Sequence, residues 1–228
     1  MSRKVLKKHY SSVFLILIFT TVIFTSELIY KVKNSPRDII LPLTKVSLDI
    51  AKIYLDIGDL EKATDYIENS AKIYIHSSQI DFPGKVPKYK PQIDLNVIDS
   101  ETKEKIRTKT YYLLSKPKNT TSPLISNIFY HIGLIMYENG YHKEANNQFQ
   151  TSVYLTPALS FLHVELANSY FNDGDIQSGI DALNYCMEFT QSKDHCKDYF
   201  EKNVISKQFI PVGIYKELVD EFHSKKVL

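Results

Sequence analysis

The 228-residue chain is 43% hydrophobic and 24% charged, an ordinary globular composition that excludes wholesale disorder and leaves room for one domain plus an appendage. Its formal net charge of +2 hides an asymmetry: Arg3, Lys4, Lys7 and Lys8 precede the first acid, Glu27, and the remainder carries 24 basic against 26 acidic side chains. So neutral a body lacks the dense basic face that several phosphates demand, and no nucleic-acid partner is expected.

Tyr10 to Ser26 is free of charge, and Leu28, Ile29 and Tyr30 extend the apolar tract past Glu27. Seventeen uncharged residues span roughly 26 Å as a helix, near the lower limit for a bilayer. Residues 10–30 therefore predict a transmembrane signal-anchor behind a basic cytoplasmic tail, residues 1–9. The alternative is a cleaved secretory signal, but the A-x-A pair of small residues is missing: Phe24 stands two places before Ser26, and Ile23 before Thr25. Cations flank both sides, yet those before the segment are crowded together without an acid, while Glu27 and Asp38 dilute Lys31, Lys33, Arg37 and Lys45. That bias favours an inside N-terminus and an extracytoplasmic body, hence a single-pass protein of the cell membrane. A cytoplasm-facing body is the alternative.

Beyond a linker at 31–42, one residue pattern appears three times. Ala51, Tyr54, Gly58, Ala63, Ile67 and Ser70 are matched 82 residues later by Gly133, Met136, Gly140, Ala145, Phe149 and Ser152. A further 34 residues on stand Ala167, Tyr170, Gly174, Gly179, Leu183 and Cys186. Apolar residues recur every three or four positions on both sides of each turn glycine, as two amphipathic helices joined tightly require. Small residues at the first and fourth positions let paired helices approach, and Gly58, Gly140 and Gly174 suit a left-handed turn. Pro157 suits the first turn of a following helix. The pattern resembles the tetratricopeptide repeat, a helix-turn-helix unit of 34 residues. It assigns repeats to 43–76, 126–159 and 160–193. The predicted fold class is all-α: an N-terminal transmembrane helix followed by a short tetratricopeptide-type helical-hairpin solenoid with an irregular insertion.

The insertion occupies 77–123. His76 to Asp99 holds Pro83, Pro87 and Pro91 without a helical period and reads as a long loop or extended excursion. Residues 100–116 read as a helix with Ser100 as N-cap, Glu101 and Glu104 at its positive end, and Ile106, Tyr111, Leu113 and Leu114 on its apolar side. This helix does not match the repeat pattern; a degenerate repeat and a family-specific insertion both remain open. Asn119-Thr120-Thr121 matches a glycosylation acceptor. Residues 194–228 are predicted to cap the array with one helix through Cys196, Tyr199 and Phe200 and a last one over Pro211 to Lys225.

Cys186 near the end of one helix and Cys196 near the start of the next read either as a structural disulfide or as two buried thiols. The seven histidines are scattered, with no H-E-x-x-H or paired metal spacing, and neither phosphate-binding nor nucleophile-elbow motifs occur. No catalytic residue, metal or cofactor is assigned. Asp56, Asp59, Asp173 and Asp175 beside turn glycines read as turn and cap chemistry. The tetratricopeptide resemblance implies that first helices line a groove for an extended peptide or a partner's helix. It places Lys45, Leu48, Asp49, Lys52 and Leu55 there from the first repeat, and Tyr130, His131, Leu134, Tyr137 and Glu138 from the second. The third contributes Phe161, Val164, Glu165, Asn168, Phe171 and Asn172. The expected function is non-catalytic protein interaction, as a scaffold or assembly adaptor, with an enzyme site in 76–123 as the alternative. The lysine-rich clamp of chaperone-binding relatives has counterparts only in Asn168 and Lys52, so an acidic C-terminal peptide is not the expected ligand.

Overall fold

Helices need somewhere to end, and here glycine supplies the stops. A computed structural model of the protein describes residues 36–78, 91–115 and 122–205. The described elements are α1 (Pro36–Asp56), α2 (Leu60–Ser78), α3 (Ser100–Ser115), α4 (Ser122–Glu138), α5 (His142–Leu155), α6 (Ser160–Asp173), α7 (Ile176–Phe189) and α8 (Lys193–Tyr199), which runs into a π-helical turn, Phe200–Ile205. Helices α1 and α2, α4 and α5, and α6 and α7 form antiparallel hairpins. Each hairpin turns on a glycine with φ of 85°, 86° or 82°, at Gly58, Gly140 and Gly174.

The three turns share one hydrogen-bond scheme. The amide after each glycine donates to the carbonyl five residues back, at 2.9 Å in each case: Asp59 to Tyr54, Tyr141 to Met136 and Asp175 to Tyr170. The glycine amide itself donates three residues back, to Leu55, Tyr137 and Phe171. This is the Schellman closure, which satisfies carbonyls that the helix end would orphan. The next helix is then capped: Asp59 accepts the Lys62 amide at 3.0 Å, and Asp175 accepts the Ser178 amide at 3.1 Å. In the middle hairpin Tyr141 takes that place and makes no side-chain cap.

Across each hairpin a second register recurs. Ser70 Oγ lies 3.5 Å from the Thr44 carbonyl, and Ser152 Oγ donates to the Ser126 carbonyl at 2.9 Å. At the equivalent place in the third hairpin Cys186 Sγ lies 3.6 Å from the Ser160 carbonyl. Glycines seat rings between the helices: a Cβ on Gly133 would lie 2.8 Å from the Phe149 ring, and one on Gly179 would strike Phe171. Ala51, Leu55, Ala63, Ile67, Phe129, Met136, Phe149, Leu162, Ala167 and Leu183 form the buried core.

The insertion joins the first hairpin to the second. Helix α3 lies between α1 and α4, and α2 reaches α4 and α5. Arg107 of α3 donates to the Leu55 carbonyl at 3.3 Å, while Lys105 donates to Asn139 at 3.1 Å, so α3 is fastened to the turns on both sides. Residues 91–99 form an irregular strap, turning at 96–97, that buries Ile93, Leu95 and Ile98. The Ile93 amide donates to Glu68 at 2.7 Å, and Gln148 donates to the Gln92 carbonyl at 2.9 Å. Asp99, not Ser100, caps α3, accepting the Thr102 amide at 2.8 Å and its hydroxyl at 2.9 Å.

Two further expectations change. Helix α1 covers Pro36–Asp56 and carries Pro42 within it, so the described part of the 31–42 linker is helical. At 42 proline forgoes a single backbone bond. Among the described residues no helix is long and apolar enough to cross a membrane. The two longest are charged along their length: α1 by Arg37, Asp38, Lys45, Asp49, Lys52 and Asp56, and α2 by Glu61, Lys62, Asp65, Glu68 and Lys72. The described fold is an all-α hairpin array without a spanning helix. This corrects the transmembrane element of the expected fold class and the single-pass location at the cell membrane. Residues 1–9 and 10–30, the 119–121 triplet and the last helix predicted at 211–225 lie outside the described residues.

Candidate interaction groove

Helix α4 presents Tyr130 and Tyr137 two turns apart, and α6 presents Phe161, Glu165 and Asn168 along one side. These faces meet. The Tyr130 ring meets Phe161 edge-on, centroids 5.4 Å apart, and leans on Phe149 below it at 6.0 Å. Phe161 is 41% exposed, whereas Tyr130 and Tyr137 are half-buried against the core. His131 stands beside Tyr130, centroids 5.3 Å apart, and burial, then the nearby Lys109 charge, lowers its pKa.

Asn168 is the polar hub. Tyr199 of α8 donates its hydroxyl to Asn168 Oδ1 at 2.9 Å, and Asn172 donates back to the Asn168 carbonyl at 2.7 Å. Helices α6 and α8 thus meet at one amide. Glu165 sits half-buried one turn away, and burial raises its carboxyl. Burial first and the Glu165 charge second raise the phenols of Tyr130 and Tyr137, and push Tyr199 up to about 12. The phenols therefore stay protonated at neutral pH.

Helix α8 is held over this face covalently. Cys186 and Cys196 form a disulfide with Cα atoms 6.1 Å apart, which decides between the two readings of the pair. His195 Nδ1 lies 3.1 Å from Ser160 Oγ, a second link from α8 to the start of α6.

Not every residue projected onto the groove lies there. Leu48 and Leu55 of α1 and Val164 of α6 are buried in the core, and Leu134 packs half-buried against it. Phe171 is 7% exposed, its ring turned into the space above Gly179. Glu138 and Asn172 are exposed at the helix ends. Tyr199, absent from the projected set, completes the surface from the capping helix. Its signal in the sequence is slight: an aromatic three residues after Cys196, on a helix that the disulfide obliges to fold back.

A comparison with protein-family models gives no match, and none of the curated proteins matches. Among solved structures, a MamA point mutant aligns with 64% of this chain and 96% of its own at 17% identity and a TM-score of 0.29, a likeness too weak to bear on fold or function.

Two clefts flank the strap, one lined by Glu61, Asp65, Glu68 and Asp94, the other by Asp56, Asp59, Lys103, Glu104 and Arg107. Several of their ions are engaged locally: Glu68 with Lys72 at 3.2 Å, Asp59 with Lys62 at 3.0 Å, and Glu104 with Arg107. Among the described residues no group of His, Cys, Asp and Glu is placed to hold a metal ion.

Proposed function

We propose that this chain is a non-catalytic protein-interaction module, a scaffold or assembly adaptor, that seats an extended peptide or helix of a protein partner on the face shared by α4, α6 and α8. One observation carries the reading. Tyr130, Tyr137, Phe161, Glu165, Asn168 and Tyr199, drawn from three separate helices, meet on a half-exposed surface that joins aromatic edges to hydrogen-bonding groups. Aromatic anchors supply most of the affinity in such interfaces, and a few polar groups fix register. The tetratricopeptide resemblance supports the same choice, since α4 and α6 are first helices of successive hairpins.

Peptides selected from a random display library on the full chain provide the test. Phe161→Ala and Tyr130→Ala each weaken a selected peptide by about tenfold or more, with the melting temperature confirming a folded variant. Affinities unchanged in both folded variants place the interaction elsewhere.

A further inference from the structure

We propose that Glu165, one helical turn from the Phe161 that meets Tyr130 and from the Asn168 that holds Tyr199, receives a basic side chain, lysine or arginine, from the protein segment seated in the groove. This names the partner chemistry of the site and rests on the groove reading above.

The argument starts from an unneutralised charge. Glu165 is half-buried in the middle of α6, yet among the described residues no ion pair reaches it, whereas the acids with a lysine or arginine partner are neutralised within their own helices or turns. One neighbouring donor is committed elsewhere: the Tyr199 hydroxyl is given to Asn168 at 2.9 Å. Burying a carboxylate without a partner is unfavourable, so a fold that keeps one at an open face leaves room for a cation to supply it. The surroundings select the sign. Tyrosine faces attract a cation through the ring quadrupole, and the carboxylate attracts it through charge, so both act together on an ammonium or guanidinium. An acidic or phosphorylated segment meets like charge and electron-rich rings. The raised carboxyl of Glu165, caused by burial alone, is the protein-side mark of the same missing partner.

Random twelve-residue peptides on phage are selected against the full chain and, in parallel, against its Glu165→Gln variant. Wild-type selections enrich lysine or arginine at one fixed position, and the variant selections do not. A resynthesised wild-type binder with that lysine changed to norleucine, or arginine to citrulline, loses about tenfold in affinity for the wild type and less than about twofold for Glu165→Gln. The norleucine and citrulline arms tell ammonium from guanidinium. Equal losses on both proteins, or a consensus without a basic residue, overturn the proposal. Where such a neutral consensus still depends on Phe161 and Tyr130, the groove reading stands without it; a library yielding no groove-dependent binder removes both.

Discussion

At Gly179 the absence of a side chain is a seat, because the Phe171 ring occupies the position a Cβ would take. Gly179→Ala therefore overpacks the third hairpin and costs about 1–3 kcal/mol in urea titration. Phe171→Leu added to it recovers part of that loss, since the two residues share one contact. This pairing also explains why spacing misplaced Phe171: three residues after Asn168 it shares a helical side with the groove, but the hole above Gly179 draws it inward. His163 is a second residue whose surroundings decide its chemistry. It is 1% exposed, with Nε2 2.8 Å from the Pro157 carbonyl, and burial holds its pKa below the usual histidine value. The unfolded chain then binds the extra proton more readily. Stability from His163 is full above about pH 6.5 and is lost as pH falls through the lowered folded value. Melting temperature drops between pH 7.5 and 5, with a shallower drop for His163→Gln. Glu165 has the opposite sign: its raised carboxyl favours the protonated form, so stability is lost as pH rises through the folded value. Glu165→Gln accordingly melts higher than the wild type at neutral pH.

The hairpins were legible at the level of elements because a left-handed turn leaves a glycine at the same place in each copy of the pattern, and Gly58, Gly140 and Gly174 all take positive φ. The insertion was not, since its course depends on contacts far apart in sequence. Residues 91–99 lack a helical period, so the sequence reads them only as part of a long loop or extended excursion and does not say where Ile93 and Leu95 are buried. The cap of α3 was misplaced by one residue for a similar reason: Asp99 gains its position from Tyr141, which donates to it at 2.8 Å across 42 residues. Hydrogen bonds from the Thr102 amide and then Tyr141 hold the Asp99 carboxyl down at about 2. Its contribution is complete above the ordinary carboxylate range and is lost as pH falls towards 2. Tyr141→Phe removes the hydroxyl that joins the strap to the second hairpin. Amide hydrogen exchange quickens over 92–98 in that variant and stays unchanged in α6 and α7; unchanged exchange in the strap shows it is held by its buried apolar residues and its bonds to Glu68 and Gln148 without Tyr141.

Across the whole described array, the second and third hairpins share the proposed interaction face, and Tyr199 of α8 joins it through Asn168. The spacing of the repeats was readable because each hairpin needs the same small residues and turn. The groove was readable only in part, because Tyr199 arrives from outside the repeats. Reduction of the Cys186–Cys196 bond, which closes a loop of ten residues, lowers stability by about 2–3 kcal/mol and frees α8. Thermal melts with and without reductant measure the first effect. Peptide affinity measured under the same two conditions reads the second, and falls as Tyr199 leaves Asn168. The cysteine that makes this link stands at the register where the earlier hairpins carry Ser70 and Ser152. That placement bears on how such an array can lengthen by tandem duplication. A copied second hairpin brings only another serine pair and stacks as before, but a copied third hairpin leaves one Cys186 equivalent with no Cys196. Growth is chemically neutral in the interior and leaves an orphan thiol at this end.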